Sequence, residues 1–192
     1  MKAAVLDRLG GLPRPADFAE PDLQGAETLV RVSAAAIKPI DRAIAAGTNY
    51  ASPKALPVVC GMDGVGTDAA GERVYFMATR RPYGAMAERA PAAWTVPVPG
   101  ALDTAAAAAV VNPAIAAWLP LEWRGGLRPG QSVLILGATG NAGRMAVTVA
   151  RLLGAGRIVA AGRNRDVLAG LGADAIVDLS LPREDKIGRA HV

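Results

Sequence analysis

Residues 132–144, SVLILGATGNAGR, constrain the fold more than any other stretch of this chain. Ser132 to Leu136 is a short apolar run, which predicts a strand buried on both faces. A G-x-x-G-x-x-G loop, Gly137 to Gly143, follows it directly. From Arg144 to Leu153 the side chains of Met145, Val149, Leu152 and Leu153 recur at helical spacing, and Gly154 ends the pattern. Arg157 to Ala161 then reads as a second strand. The order is strand, glycine loop, helix, strand.

That order carries a binding chemistry. A helix N-terminus has unpaired N–H groups and partial positive charge, and a pyrophosphate can meet both where no side chain intervenes. Glycine loops alone also make plain tight turns. Between a predicted strand and helix, with a second strand at the right distance, this one predicts a dinucleotide site formed by Gly137, Thr139, Gly140, Asn141, Ala142 and Gly143. At the end of the second strand, where an acid would bind ribose hydroxyls, the chain has Gly162-Arg163-Asn164-Arg165. Two readings are open here. Either Arg163, with Arg165 or Asn164 assisting and Gly162 leaving room, pairs with the 2′-phosphate of NADPH, or the arginines are solvated residues opening a helix from Asp166 to Leu171.

The first 122 residues lack this rhythm. Strands are expected at Lys2 to Leu6, Thr28 to Ala36 and Arg73 to Met77, and an extended passage from Gly84 to Val96. Between them lie a helix from Ile40 to Ala46, opened by Pro39 and ended by a left-handed Gly47, and a glycine cluster at Gly61, Gly64 and Gly66. This pattern predicts a small, irregular β-rich domain. Asp103 or Thr104 is expected to cap a helix through the alanine run, and Asn112 before Pro113 a second one. The run Ala105 to Leu121 is weakly polar, but Asn112, Pro113 and Pro120 break it, so packed helices are expected rather than a membrane span.

Composition narrows the class. Apolar residues make up 52% of the 192 and charged residues 20%, within the globular range. The net charge of +4 falls to +2 without Lys186 and Arg189, and no basic cluster interleaves with aromatics, so no nucleic-acid partner is expected. A single cysteine, Cys60, excludes an internal disulfide, and the N-terminus has no signal-peptide pattern. A cytoplasmic location is expected.

Several motifs together resemble the medium-chain dehydrogenase/reductase superfamily, in its quinone oxidoreductase-like branch. They are KPIDRAIAAGTNY at 38–50, LPVVCGMDGVG at 56–66, ERVYF at 72–76, GAMAERA at 84–90, LRPGQSVLILGATGNAGR at 127–144 and LGADAIVDL at 171–179. The resemblance covers Met1 to Ser180. It implies an α/β protein in which a GroES-like β-rich domain, residues 1–122, is followed by an incomplete Rossmann domain, a doubly wound parallel sheet, at residues 123–185. NADPH would be the cofactor, a quinone or enone the substrate, and a homodimer the assembly.

Zinc-dependent members carry a cysteine in the loop matching Lys38 to Asp41, and Gly-His-Glu where this chain has Gly61-Met62-Asp63. Neither zinc ligand is present, so no metal site is expected and hydride would pass directly to an electron-poor carbon. On the substrate side the resemblance implies catalytic roles for Asp41 and Tyr50. The residues alone also fit a helix-start carboxylate and a packed aromatic, and Lys38 stands where the family has Asn. Cys60 and Met62 read as packing residues. A non-catalytic NADPH-binding protein of the same fold is the alternative. Ile187 to Val192, IGRAHV, match the translation of a sequencing-library adapter, so the last seven residues, 186–192, are expected to be non-native, the Rossmann part truncated and the chain as given a poor catalyst.

Overall fold

In the computed structural model, which describes residues 1–182, the chain divides into two units, Met1–Val110 and Val111 onward. The expected foreign tail lies outside the described residues.

The first unit is built from short strands broken by proline and glycine. Strands β1 (Lys2–Leu6), β2 (Arg14–Asp17) and β4 (Val58–Val59) form one antiparallel sheet in the order β2-β1-β4. A second antiparallel sheet has the order β7-β3-β5-β6-β8, from β3 (Thr28–Ala34), β5 (Asp63–Thr67), β6 (Arg73–Met77), β7 (Arg89–Ala92) and β8 (Thr95–Pro97). Val30, Val74 and Phe76 are its core, with Ala85, Ala90 and Ala92 packed against them.

The glycine cluster contributes to β5, a strand whose signal the glycines hide. They are needed because neighbouring backbone comes too close for a side chain. A Cβ on Gly66 would lie 2.2 Å from the Arg31 carbonyl oxygen, and one on Gly64 would lie 2.8 Å from that of Ala34.

Helix α1 (Pro39–Ala46) connects the two sheets in sequence. Pro39 suits its first turn, the Asp41 carboxylate accepts the Lys38 N–H at 2.9 Å, and Gly47 ends it at a φ of 79°.

Two expectations fail at the next helix. One helix, α2 (Thr104–Trp118), runs through Asn112 and Pro113, followed by a π-helical turn, Leu119–Arg124. Asn112 therefore caps nothing. Proline removes one backbone donor, and alanines on both sides supply enough helix propensity to carry the chain past it. Nor is the helix enclosed among the described residues, since Ile115, Trp118, Leu119 and Trp123 are exposed. By length and composition alone, Thr104–Arg124 could cross a membrane.

In the second unit, β9 (Ser132–Leu136), β10 (Arg157–Gly162) and β11 (Ala175–Asp178) form a parallel sheet ordered β11-β10-β9. The connections are α3 (Asn141–Leu152) and α4 (Arg165–Ala169). Ile135, Ile158 and Ala160 face Val147, Ala150 and Leu168 across a continuous apolar core. The expected burial of β9 on both faces is corrected here. Leu134 is 57% and Leu136 70% exposed, because the helices cover only the face carrying Ile135, and β9 is an edge strand of the described sheet.

Candidate functional site

The glycine loop turns the chain from β9 into α3. Gly137 adopts a φ of 74°, and an added Cβ there would meet nothing within 4 Å, so the space in front of it is open. The Ala138 N–H donates to the Ala161 carbonyl at 2.9 Å, fixing the loop to β10. Gly143 answers a different demand. Its Cβ would stand 2.2 Å from the Gly137 carbonyl oxygen and 2.6 Å from the Ala138 Cα, so the first turn of α3 lies directly on the loop backbone.

Helix α3 has no side-chain cap: its N-cap is Gly140, in extended conformation. Among the described residues, the N–H groups of Asn141, Ala142 and Gly143 have no acceptor, while Arg144 N–H donates to the Gly140 carbonyl at 2.8 Å. Three adjacent amides at a positive helix end, with no competing side chain, have the geometry of an anion receptor.

The end of β10 adjoins this receptor. An added Cβ on Gly162 would stand 2.6 Å from the Thr139 side chain, so Gly162 lets that loop residue pack on β10. The Asn164 side chain is committed, accepting the Val167 N–H at 3.1 Å as the cap of α4. Arg163 and Arg165 are exposed and have no partner among the described residues. The structure thus brings Gly137, Thr139, Gly140, Asn141, Ala142, Gly143 and Gly162 together and leaves the two arginines free.

In the first unit, a cleft of about 570 Å³ is lined mostly by apolar groups, including Leu12, Ile37, Pro39 and Met86, with Asp41, Arg42 and Cys60 as its polar members. Burial pushes the Cys60 thiol up from its ordinary range, and Asp41 adds to the effect against a lowering influence of Arg81.

Beneath the cleft lies an ion cluster that the sequence reading misses. Lys38 is 7% exposed, yet its Nζ sits 2.5 Å from Asp63 Oδ1 and 3.3 Å from Asp41 Oδ2, and donates to the Ala36 carbonyl at 3.0 Å. The other Asp63 oxygen accepts the Tyr75 hydroxyl at 2.9 Å, and Asp63 is wholly buried. Burial first, then the Asp63 charge, raise the Tyr75 phenol far above its ordinary range, so it stays a donor. The available signal is a lysine inside an apolar stretch with an aspartate three residues on. A buried ammonium requires a carboxylate.

Asp41 is part of this cluster. One oxygen accepts the Lys38 N–H and the other the Met62 N–H at 3.0 Å, so the carboxylate ties the start of α1 to the chain entering β5. Tyr50 is 98% exposed and does not line the cleft. Among the described residues, no three His, Cys, Asp or Glu side chains converge as metal ligands would.

Known proteins share this architecture. Quinone oxidoreductase from Lama guanicoe is 33% identical over 164 residues, covering 79% of this chain and 49% of that protein. The chloroplastic quinone-oxidoreductase homolog of Spinacia oleracea is 29% identical over 185 residues, covering 86% and 56%. Among solved structures, the quinone oxidoreductase from Thermus thermophilus, also determined with NADPH, superimposes with a TM-score of 0.84. It is 32% identical, and the match covers 96% of this chain and 61% of that one. The chain spans about half the length of the curated relatives it matches. No family model matches it.

Proposed function

We propose, from the premise that this chain is a quinone oxidoreductase homologue of the medium-chain dehydrogenase/reductase superfamily, that its protein is an NADPH-dependent, zinc-free reductase of quinones or related enones. The observation that carries the reading is the uncapped start of α3, with free N–H groups at Asn141, Ala142 and Gly143 and two unpartnered arginines beyond β10. These groups fit a dinucleotide phosphate by phosphate. The three amides receive the pyrophosphate and Arg163, assisted by Arg165, receives the 2′-phosphate.

The bound dinucleotide supplies the hydride. With one proton from solvent, hydride addition converts a quinone to its hydroquinone and leaves the oxidised cofactor. The apolar cleft of the first unit suits a flat, weakly polar acceptor. Asp41, with both oxygens engaged, acts by holding the cleft wall rather than by moving a proton. Tyr50, fully accessible, keeps its hydroxyl available to an acceptor.

The cofactor assignment has a direct test. A charge-assisted hydrogen bond contributes on the order of 1.5–3 kcal/mol, and each 1.4 kcal/mol or so is tenfold. Arg163 therefore gives roughly a tenfold to hundredfold preference for NADPH, reduced by salt. On the full-length protein, steady-state kcat/KM for NADPH and NADH should show Arg163→Ala collapsing that ratio with activity retained. A parent that favours NADH, or a ratio untouched by the substitution, refutes the assignment. Tight NADPH binding with no turnover of any quinone would indicate a non-catalytic binding protein instead.

A further inference from the structure

We propose that Arg42 selects acceptors that carry a negatively charged substituent, such as a carboxylate, on an apolar ring. This rests on the reductase reading above and deepens it by naming a substrate class.

The cleft of about 570 Å³ belongs entirely to the first unit, and its wall is mostly aliphatic. Its three polar side chains differ in what they can still do. Asp41 already accepts from the Lys38 and Met62 amides, and the Lys38 ammonium 3.3 Å away offsets its charge. Cys60 presents a neutral thiol, since burial raises it above its ordinary range. Arg42 is exposed, lines the cleft and has no partner for its guanidinium among the described residues.

Only its backbone is committed, through the N–H that donates to the Lys38 carbonyl at 3.3 Å in the first turn of α1. A fork of fixed donors at the border of an apolar surface recognises a carboxylate or sulfonate attached to an apolar body. The ring leaves water against the aliphatic wall while the charged group keeps contact with both arginine and solvent. A neutral ring would use the wall alone. An acceptor with a cationic substituent would meet the same guanidinium and be repelled.

The position also explains why the charge can be effective. Asp41 in the cleft wall and Asp63 share the Lys38 ammonium, so the wall below Arg42 does not present two uncompensated negative charges. An anion at Arg42 is therefore not opposed by them in full.

The test uses two non-reacting probes that share a naphthalene ring, naphthalenesulfonate and naphthalenemethanol, with binding measured by calorimetry at low and high salt. The parent is expected to bind the sulfonate more tightly. Arg42→Met, which keeps the aliphatic stem, should weaken the sulfonate by roughly three- to tenfold and leave the alcohol within about twofold. The advantage of the sulfonate should shrink as salt screens it. Equal affinity of the parent for both probes, equal loss of both in the variant, or no binding of either overturns the proposal. The reductase reading is tested separately by the full-length protein's oxidation of NADPH with a neutral naphthoquinone. Sulfonate discrimination without that turnover keeps the role of Arg42 and removes the reaction, and turnover without discrimination does the reverse.

Discussion

Lys38→Met is expected to lower the unfolding free energy by about 3–5 kcal/mol, the usual consequence of removing one partner from a buried ion pair. Asp63 is wholly buried, and its Oδ1 would lose the ammonium now 2.5 Å away, leaving the Tyr75 hydroxyl as its one side-chain donor. Methionine fills the space of the lysine stem, so packing changes little and the effect isolates the charge. The carboxylates of Asp41 and Asp63 would also repel each other without the cation between them. Removing the second charge should restore most of the loss. The double variant Lys38→Met/Asp63→Asn is expected within about 2 kcal/mol of the parent, because a buried pair replaced as a pair is often neutral. Urea unfolding of parent, single and double variants measures both differences. A single variant within about 1 kcal/mol of the parent would show that the cluster does not hold α1 to β5.

Gly143→Val is expected to abolish the anion receptor. Its Cβ would stand 2.2 Å from the Gly137 oxygen and 2.6 Å from the Ala138 Cα, and both obstacles are backbone. Ala138 is itself buried and bonded to Ala161 of β10, so the loop cannot yield without breaking that link. The remaining response is for α3 to tilt away, which misaligns the amides of Asn141, Ala142 and Gly143. We expect a stability loss of about 1–3 kcal/mol, as for other overpacked sites, and at least roughly a tenfold loss of NADPH affinity. Gly140→Ala provides the contrast. An added Cβ there meets only the Gly137 oxygen, at 3.6 Å, and its φ of −79° suits any residue. Its thermal stability should match the parent's. NADPH titration and thermal melts of the three proteins check the pair of outcomes, and undiminished binding by Gly143→Val would refute the close approach of α3 to the loop.

The elements most legible in the sequence were those whose pattern is local. The run Ser132 to Leu136, the glycine loop, the spacing of α3 and the apolar stretch of β10 each state their own conformation, and the structure has them all. β5 was illegible because Gly64 and Gly66 carry no strand signal, their identity being set by backbone from β3 that only the fold brings near. The burial of β9 was overestimated for a related reason. An apolar run reports what a strand can bury, whereas exposure depends on what lies across each face.

Within the site, sequence order found the loop but not the division of labour around it. Asn164, expected beside Arg163 at the cofactor phosphate, also caps α4 through its side-chain oxygen. An asparagine just before a predicted helix was the available sign. The cluster of Lys38, Asp41, Asp63 and Tyr75 joins positions up to 37 residues apart, and no spacing rule predicts that pairing. Arg42 was indistinguishable from any solvated arginine until the cleft beside it was seen.

The proposal of a zinc-free, NADPH-dependent reductase is tested most sharply by NADPH oxidation by the full-length protein with a small neutral naphthoquinone, run with and without a strong metal chelator. The expected result is quinone-dependent NADPH consumption, one hydroquinone formed per NADPH, with a rate unchanged by the chelator. Absence of turnover with any quinone or enone, or activity lost to the chelator and restored by zinc, would contradict it.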